Sequence, residues 1–162
     1  MLKIKIKRIV LILCFVIIPV TSYAQSNRLL VHMVTDANKN DADACIAFNI
    51  AWVAVEKGFP VEMLFDSWAA YNIKRGDFWS RFKVPHSYRK LVITSIGKDI
   101  LWKGGSYLNL LKYLKKKGMV ISTNQTFLSL SNDHKKIPQF IERINLMQMV
   151  ERIKNASGYV RY

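Results

Sequence analysis

The residues able to do chemistry in this chain are few. There are two cysteines, Cys14 and Cys45, and three histidines, His32, His86 and His134. A metal centre needs His or Cys ligands at short, fixed spacings. These five residues show no such spacing with one another, so no metal site is expected. A phosphate cradle is built from backbone N–H groups in a glycine-rich turn, and the segment Thr35 to Asp41 has no glycine. A nucleotide or dinucleotide site is therefore disfavoured, and no cofactor is expected. Two kinds of chemistry remain. One is thiol chemistry at Cys45. The other is hydrogen bonding by two polar groups of residues: Thr35, Asp36 and Asn38, and Ser122, Thr123, Asn124, Gln125 and Thr126. His32 sits inside an apolar run and reads as a hydrogen-bonded core residue rather than a catalyst.

The elements that must position these groups follow from periodicity. Arg28 to Val34 (RLLVHMV) has the length and apolar character of a strand. The polar loop TDANKNDAD comes next, in which Asp41 or Asp43 can cap a helix running to Lys57 and closed by Gly58. In that helix Cys45, Phe48, Trp52 and Val55 recur at steps of three, four and three, and Ala44, Ala47, Ala51 and Ala54 form a parallel stripe of small side chains. The Ala stripe suits close packing on a sheet. Phe48 and Trp52 are left for a second layer or another subunit, and Cys45, on their stripe, is expected to be buried. Val61 to Phe65 (VEMLF) reads as a second strand, one helix after the first, which is the pattern of a right-handed parallel crossover. SWAAYNIKR reads as a short helix, LVITSI as a strand, and Ser106 to Lys117 as a helix with its lysines at the cation-favouring end. Met119 to Thr123 is a third strand, followed by a loop beginning Asn124-Gln125-Thr126. A helix from about Asn145 to Lys154 and a strand from Tyr159 to Tyr162 close the pattern. The fold class is α/β: a three-layer domain with a small, mostly parallel sheet flanked by helices. In such sheets ligands collect at the carboxyl ends of the strands. The loops Thr35 to Asp41, Asp66 to Trp68 and Thr123 to Phe127 should therefore converge on one rim.

The beginning of the chain reads as a cleaved signal peptide covering residues 1–24: cations at Lys3, Lys5, Lys7 and Arg8, an apolar run from Ile9 to Val20, and small residues at Ser22 and Ala24. Twelve apolar residues would cover only about 18 Å of a hydrocarbon core about 30 Å thick, so stable membrane insertion is not expected. Cys14 belongs to the discarded segment. Residues 25–162 then form a single exported domain, periplasmic or secreted. Four of the 25 Lys and Arg residues lie in the leader and none of the 11 Asp and Glu do, so 21 cations face 11 anions and the net charge is +10. One surviving thiol, Cys45, excludes an intramolecular disulfide. The stretch WSRFKVPHSYRK interleaves aromatic and basic residues as single-strand binders do, but an exported protein seldom meets nucleic acid, and no nucleic-acid partner is expected. Trp52, Trp68, Trp79 and Trp102 are more large aromatics than one small core hides, which favours a homo-oligomer.

The order of elements resembles the DsrE/DsrF-like sulfur-relay family in its exported single-domain branch. The segments that carry the likeness are RLLVHMVTDANKNDADACIAFNIAWVAVEKGFPVEMLF, LLKYLKKKGMVISTNQTFL and MVERIKNASGYVRY. The resemblance implies a DsrE/flavodoxin-like architecture, oligomeric assembly, and a sulfur-carrying cysteine just after the third strand. That place falls at Thr123, whose hydroxyl cannot hold a persulfide. The reading that follows is an exported DsrE-like binding or assembly module, not an enzyme, with a small-molecule or protein partner at the rim. The alternative is a thiol-dependent sulfur transferase in which Cys45 is the catalytic group. A weaker one is a basic protein that binds surfaces through charge alone.

Overall fold

The computed structural model describes residues 27–37, 39–75, 86–96, 107–130 and 137–162. The leader, Asn38, Trp79, Trp102, His134 and the stretch from Gly76 to Pro85 lie outside the described residues. Among the described residues five strands form one all-parallel sheet: β1 (Leu29–Met33), β2 (Val61–Phe65), β3 (Val120–Asn124), β4 (Glu142–Ile144) and β5 (Gly158–Arg161), in the order β4-β3-β2-β1-β5. Position in the sheet accounts for composition. All five residues of central β2 are buried, and β1 and β3 each bury four, as a strand covered on both faces requires. The edge strands are shorter and partly exposed.

The helices follow as α1 (Asp41–Glu56), α2 (Ser67–Arg75), α3 (His86–Ile96), α4 (Tyr107–Lys116), α5 (Gln125–Ser129) and α6 (Leu146–Asn155). The chain steps from β1 to β4 in one direction across the sheet, then returns over it to β5 at the other edge. Right-handed crossovers of opposite direction put their helices on opposite faces. Accordingly α1, α2 and α4 share the larger core with Val31, Met63, Phe65 and Ile121. On the other face α6 covers a small apolar group of Leu30, Leu64, Ile144 and Met149.

Within α1 the Ala stripe is buried at Ala44, Ala47 and Ala51, and Phe48 and Trp52 are buried as well. The second layer they meet belongs to the same chain: Phe48 stacks on Tyr107 of α4 at 4.5 Å and tilts against Phe65 at 6.4 Å. Several boundaries differ from the sequence expectation. The cap of α1 is Asn40, whose side chain accepts from Asp43 N–H, leaving Asp41 and Asp43 to favour the positive end of the helix dipole. LVITSI belongs to helix α3, not to a strand. The segment after β3 is a short helix, because the Asn124 side chain accepts from Thr126 N–H and starts a new turn. Cys45 is half-buried rather than buried. The first turn of α1 is exposed at Asp41 and Ala42, and the apolar cover has not yet closed at Cys45. Among the described residues no helix is long and apolar enough to cross a membrane.

Candidate functional site at the carboxyl rim

Parallel pairing of β1, β2 and β3 brings the three anticipated loops to one edge, and hydrogen bonds tie them together there. Asp66, first after β2, donates its N–H to the Met33 carbonyl at 2.9 Å. Its carboxylate accepts from Asn124 Nδ2 at 2.8 Å and from Ser67 N–H at 2.7 Å. Ser67 holds φ at +49°, an unusual conformation for a residue with a Cβ. The second carboxylate oxygen lies 3.5 Å from His32 Nε2, long for a hydrogen bond but close enough for charge pairing. On the other side of the ring, His32 Nδ1 is 2.8 Å from the Tyr159 hydroxyl. His32 is 5% exposed, while Tyr159, over it on edge strand β5, is 44% exposed. Burial pushes the Asp66 carboxyl up, but the contacts from His32, Asn124 and Ser67 outweigh it and hold the group below its ordinary value.

The residues anticipated from sequence divide among different roles. Thr35 is half-buried, and its N–H donates to the Tyr162 carbonyl at 3.3 Å. Asp36 accepts from Asn72 of α2 at 2.8 Å, joining the first loop to the second. Asn38 lies outside the described residues. Ser122 is fully buried within β3 and donates to Glu62 at 2.6 Å, so it does not line the rim. Thr123 is also fully buried, beside its register partner Phe65, with its hydroxyl unpaired among the described residues. Asn124 is buried and links α5 to Asp66, while Gln125 and Thr126 are exposed. Cys45 accepts a weak 3.6 Å contact from Asn49 Nδ2. The reading of His32 as a hydrogen-bonded core residue agrees with its burial. Sequence reasoning missed the centre of the network, Asp66 and Tyr159, although it placed the Asp66 to Trp68 loop at this rim. Trp68 adds an exposed aromatic face there, edge-on to Tyr71 at 5.8 Å and with Lys39 Nζ 5.5 Å above the ring.

A second polar cluster sits toward the amino ends of the strands. Glu62, 1% exposed, accepts from Arg28 at 3.0 Å, from Ser122 and from Arg152 of α6, and Arg152 also reaches Glu142 at 2.5 Å. Burial works against the Arg152 charge, but Glu62 and Glu142 outweigh it and raise its proton affinity. A polar cleft of about 280 Å³ opens beside it. Both carboxylate oxygens of Glu62 already have partners within the chain, so the cluster reads as the anchor of α6 on the sheet.

No protein-family model matches this chain, and no curated protein does. Among solved structures, the ychN protein of E. coli superposes with a TM-score of 0.57 at 11% identity, over 84% of this chain and 99% of that one. At that identity the likeness shows the fold alone: a five-stranded parallel sheet flanked by helices in an α/β three-layer arrangement.

Proposed function

We propose that this chain is an exported binding or assembly module of the DsrE-like kind that does not carry sulfane sulfur. The observation that carries the reading is the make-up of the rim. Its converging groups are paired amides and carboxylates, Asn72 with Asp36 and Asn124 with Asp66, beside the exposed Trp68. These pairs fix the loops to one another, and the exposed Gln125, Thr126 and Trp68 are what they present to a ligand or a partner chain for hydrogen bonding and stacking. Thr123 stands where the resemblance puts the sulfur carrier, and it is buried with no thiol to offer. Export rests on the sequence of residues 1–24, which lie outside the described residues, and the mature form would start at Gln25. Intact mass of the protein from a periplasmic extract checks this, and a membrane-embedded species that keeps the leader would overturn it.

The half-exposed thiol of Cys45, one turn into α1, favours a second reading, in which it accepts and passes on sulfur. One experiment separates the two. Incubated with a persulfide donor, the mature protein should gain no mass increment of a sulfur atom. An increment found in the native protein and absent from Cys45→Ser would replace the binding reading with the transferase one.

A further inference from the structure

Tyr159, His32 and Asp66 stand in the order of a nucleophile, its base and the group that orients the base. The criterion for an activated nucleophile is hydrogen-bond reach between nucleophile and base, with a third group fixing the base. Here the Tyr159 oxygen is 2.8 Å from Nδ1 of His32, and the Asp66 carboxylate stands 3.5 Å from Nε2 of the same ring. Two further hydrogen bonds to Asp66 hold its carboxylate in place. The ring is almost wholly buried and the phenol is not, so the outermost member of the series is the one a small molecule could meet. Arg161, the register partner of His32 on β5, lies on the same face and is exposed, and it has no ion-pair partner among the described residues. It would suit an anionic group on the incoming molecule.

We propose that this is a nucleophilic site in which the Tyr159 phenol attacks an activated acyl or sulfonyl donor. His32 takes the phenol proton, and Asp66 acts as a positioning residue. The carboxylate draws the ring proton to Nε2 and leaves Nδ1 bare to accept from Tyr159. When the phenol oxygen bonds to the electrophilic centre, the bond to the leaving group breaks and that group departs with its electron pair. The phenol proton passes to Nδ1, and the imidazolium formed is stabilised by Asp66. No oxidant or reductant enters. The step uses neither Cys45 nor Thr123 and does not depend on sulfur-carrier chemistry.

An aryl sulfonyl fluoride is a suitable probe, since attack on sulfur expels fluoride and leaves a stable sulfonate ester on the tyrosine. Peptide mapping of the mature protein should find Tyr159 labelled well ahead of Tyr113, whose hydroxyl is held by the Glu56 carboxylate at 2.7 Å. In His32→Gln, which can still hydrogen-bond the phenol but cannot take its proton, the Tyr159 rate should fall about 100-fold, the scale of general-base catalysis. Asp66→Asn should give a similar fall, because an amide facing Nε2 favours the opposite tautomer. Nitrogen-15 NMR of the imidazole supplies a readout that needs no variant. In the native protein the neutral His32 ring should carry its proton on Nε2, and Asp66→Asn should shift it to Nδ1. Labelling of Tyr159 no faster than Tyr113, unchanged labelling in a folded His32→Gln, or a native ring protonated on Nδ1 would each overturn the proposal.

Discussion

Glu62 gathers two guanidinium groups and a hydroxyl on one buried carboxylate. Removing a buried carboxylate leaves Ser122 without its acceptor and Arg152 with Glu142 alone, and breaking such a pair costs about 3–5 kcal/mol. Glu62→Ala should therefore lower the free energy of unfolding in urea by about 3 kcal/mol or more. Arg28, a third exposed, should cost less than about 1 kcal/mol when replaced by Ala, because solvent already screens it. Asp66 gives a test against pH. Its folded proton affinity is depressed, so the stability it confers is present above the unfolded value of about 3.9 and is lost as pH falls below it. Asp66→Asn should flatten that part of the acid limb in urea midpoints measured against pH. Tyr113 behaves in the opposite sense: burial and Glu56 push its hydroxyl up to about 12. Its contribution is present below about pH 10 and fades as pH rises toward 12, and Tyr113→Phe should remove it from alkaline unfolding curves. At this scale little could be read in advance. His32 was recognisable as a polar residue inside a strand, but Tyr159 reaches it across 127 positions. No local pattern encodes that meeting, which exists only because β5 lies beside β1.

Elements were more legible where one local signal decided them. Gly58 and Gly118 end helices at φ +80° and +97°, and SWAAYNIKR forms helix α2 over its whole length. Gly118 has nothing within 4 Å of an added Cβ, so Gly118→Ala should cost only the backbone strain, about 1 kcal/mol. Asn145 and Gln148 form a reciprocal capping box at the start of α6, each side chain accepting from the other's N–H at 2.9 Å. Asn145→Ala should cost about 1 kcal/mol by thermal unfolding. The illegible elements had competing signals. In LVITSI the β-branched residues point to a strand, but α3 runs through it, and Thr94 turns its hydroxyl back to the Lys90 carbonyl four residues earlier. Strand β4 has three residues and buries one of them, too short for alternation to show.

At the scale of the whole molecule, the outer face of α1 exposes Ile46 and Val53, and Phe59 follows on the same side of the chain. With Ile50, Leu29 and Gly158 this region borders a shallow apolar groove of about 460 Å³ next to the open edge of β5. If the chain forms a homo-oligomer, that face is where contact should remove most apolar surface from water. Light scattering after size-exclusion chromatography should give a multimer, and Val53→Asp should shift it toward monomer. A native monomer at micromolar concentration would refute this. The α/β class and the parallel core strands could be read from the sequence because each βα unit carries its own periodicity. The strand order could not, because neighbourhood in the sheet is set by the direction of each crossover. That order has a temporal consequence. β1 emerges first among the described strands, and one of its two neighbours, β5, emerges last. During synthesis one flank of β1 must wait, with its ladder half made, until Arg161 has left the ribosome. Pairing between such distant segments is slow to form, so the ladder between β1 and β5 should be the last part of the sheet to close.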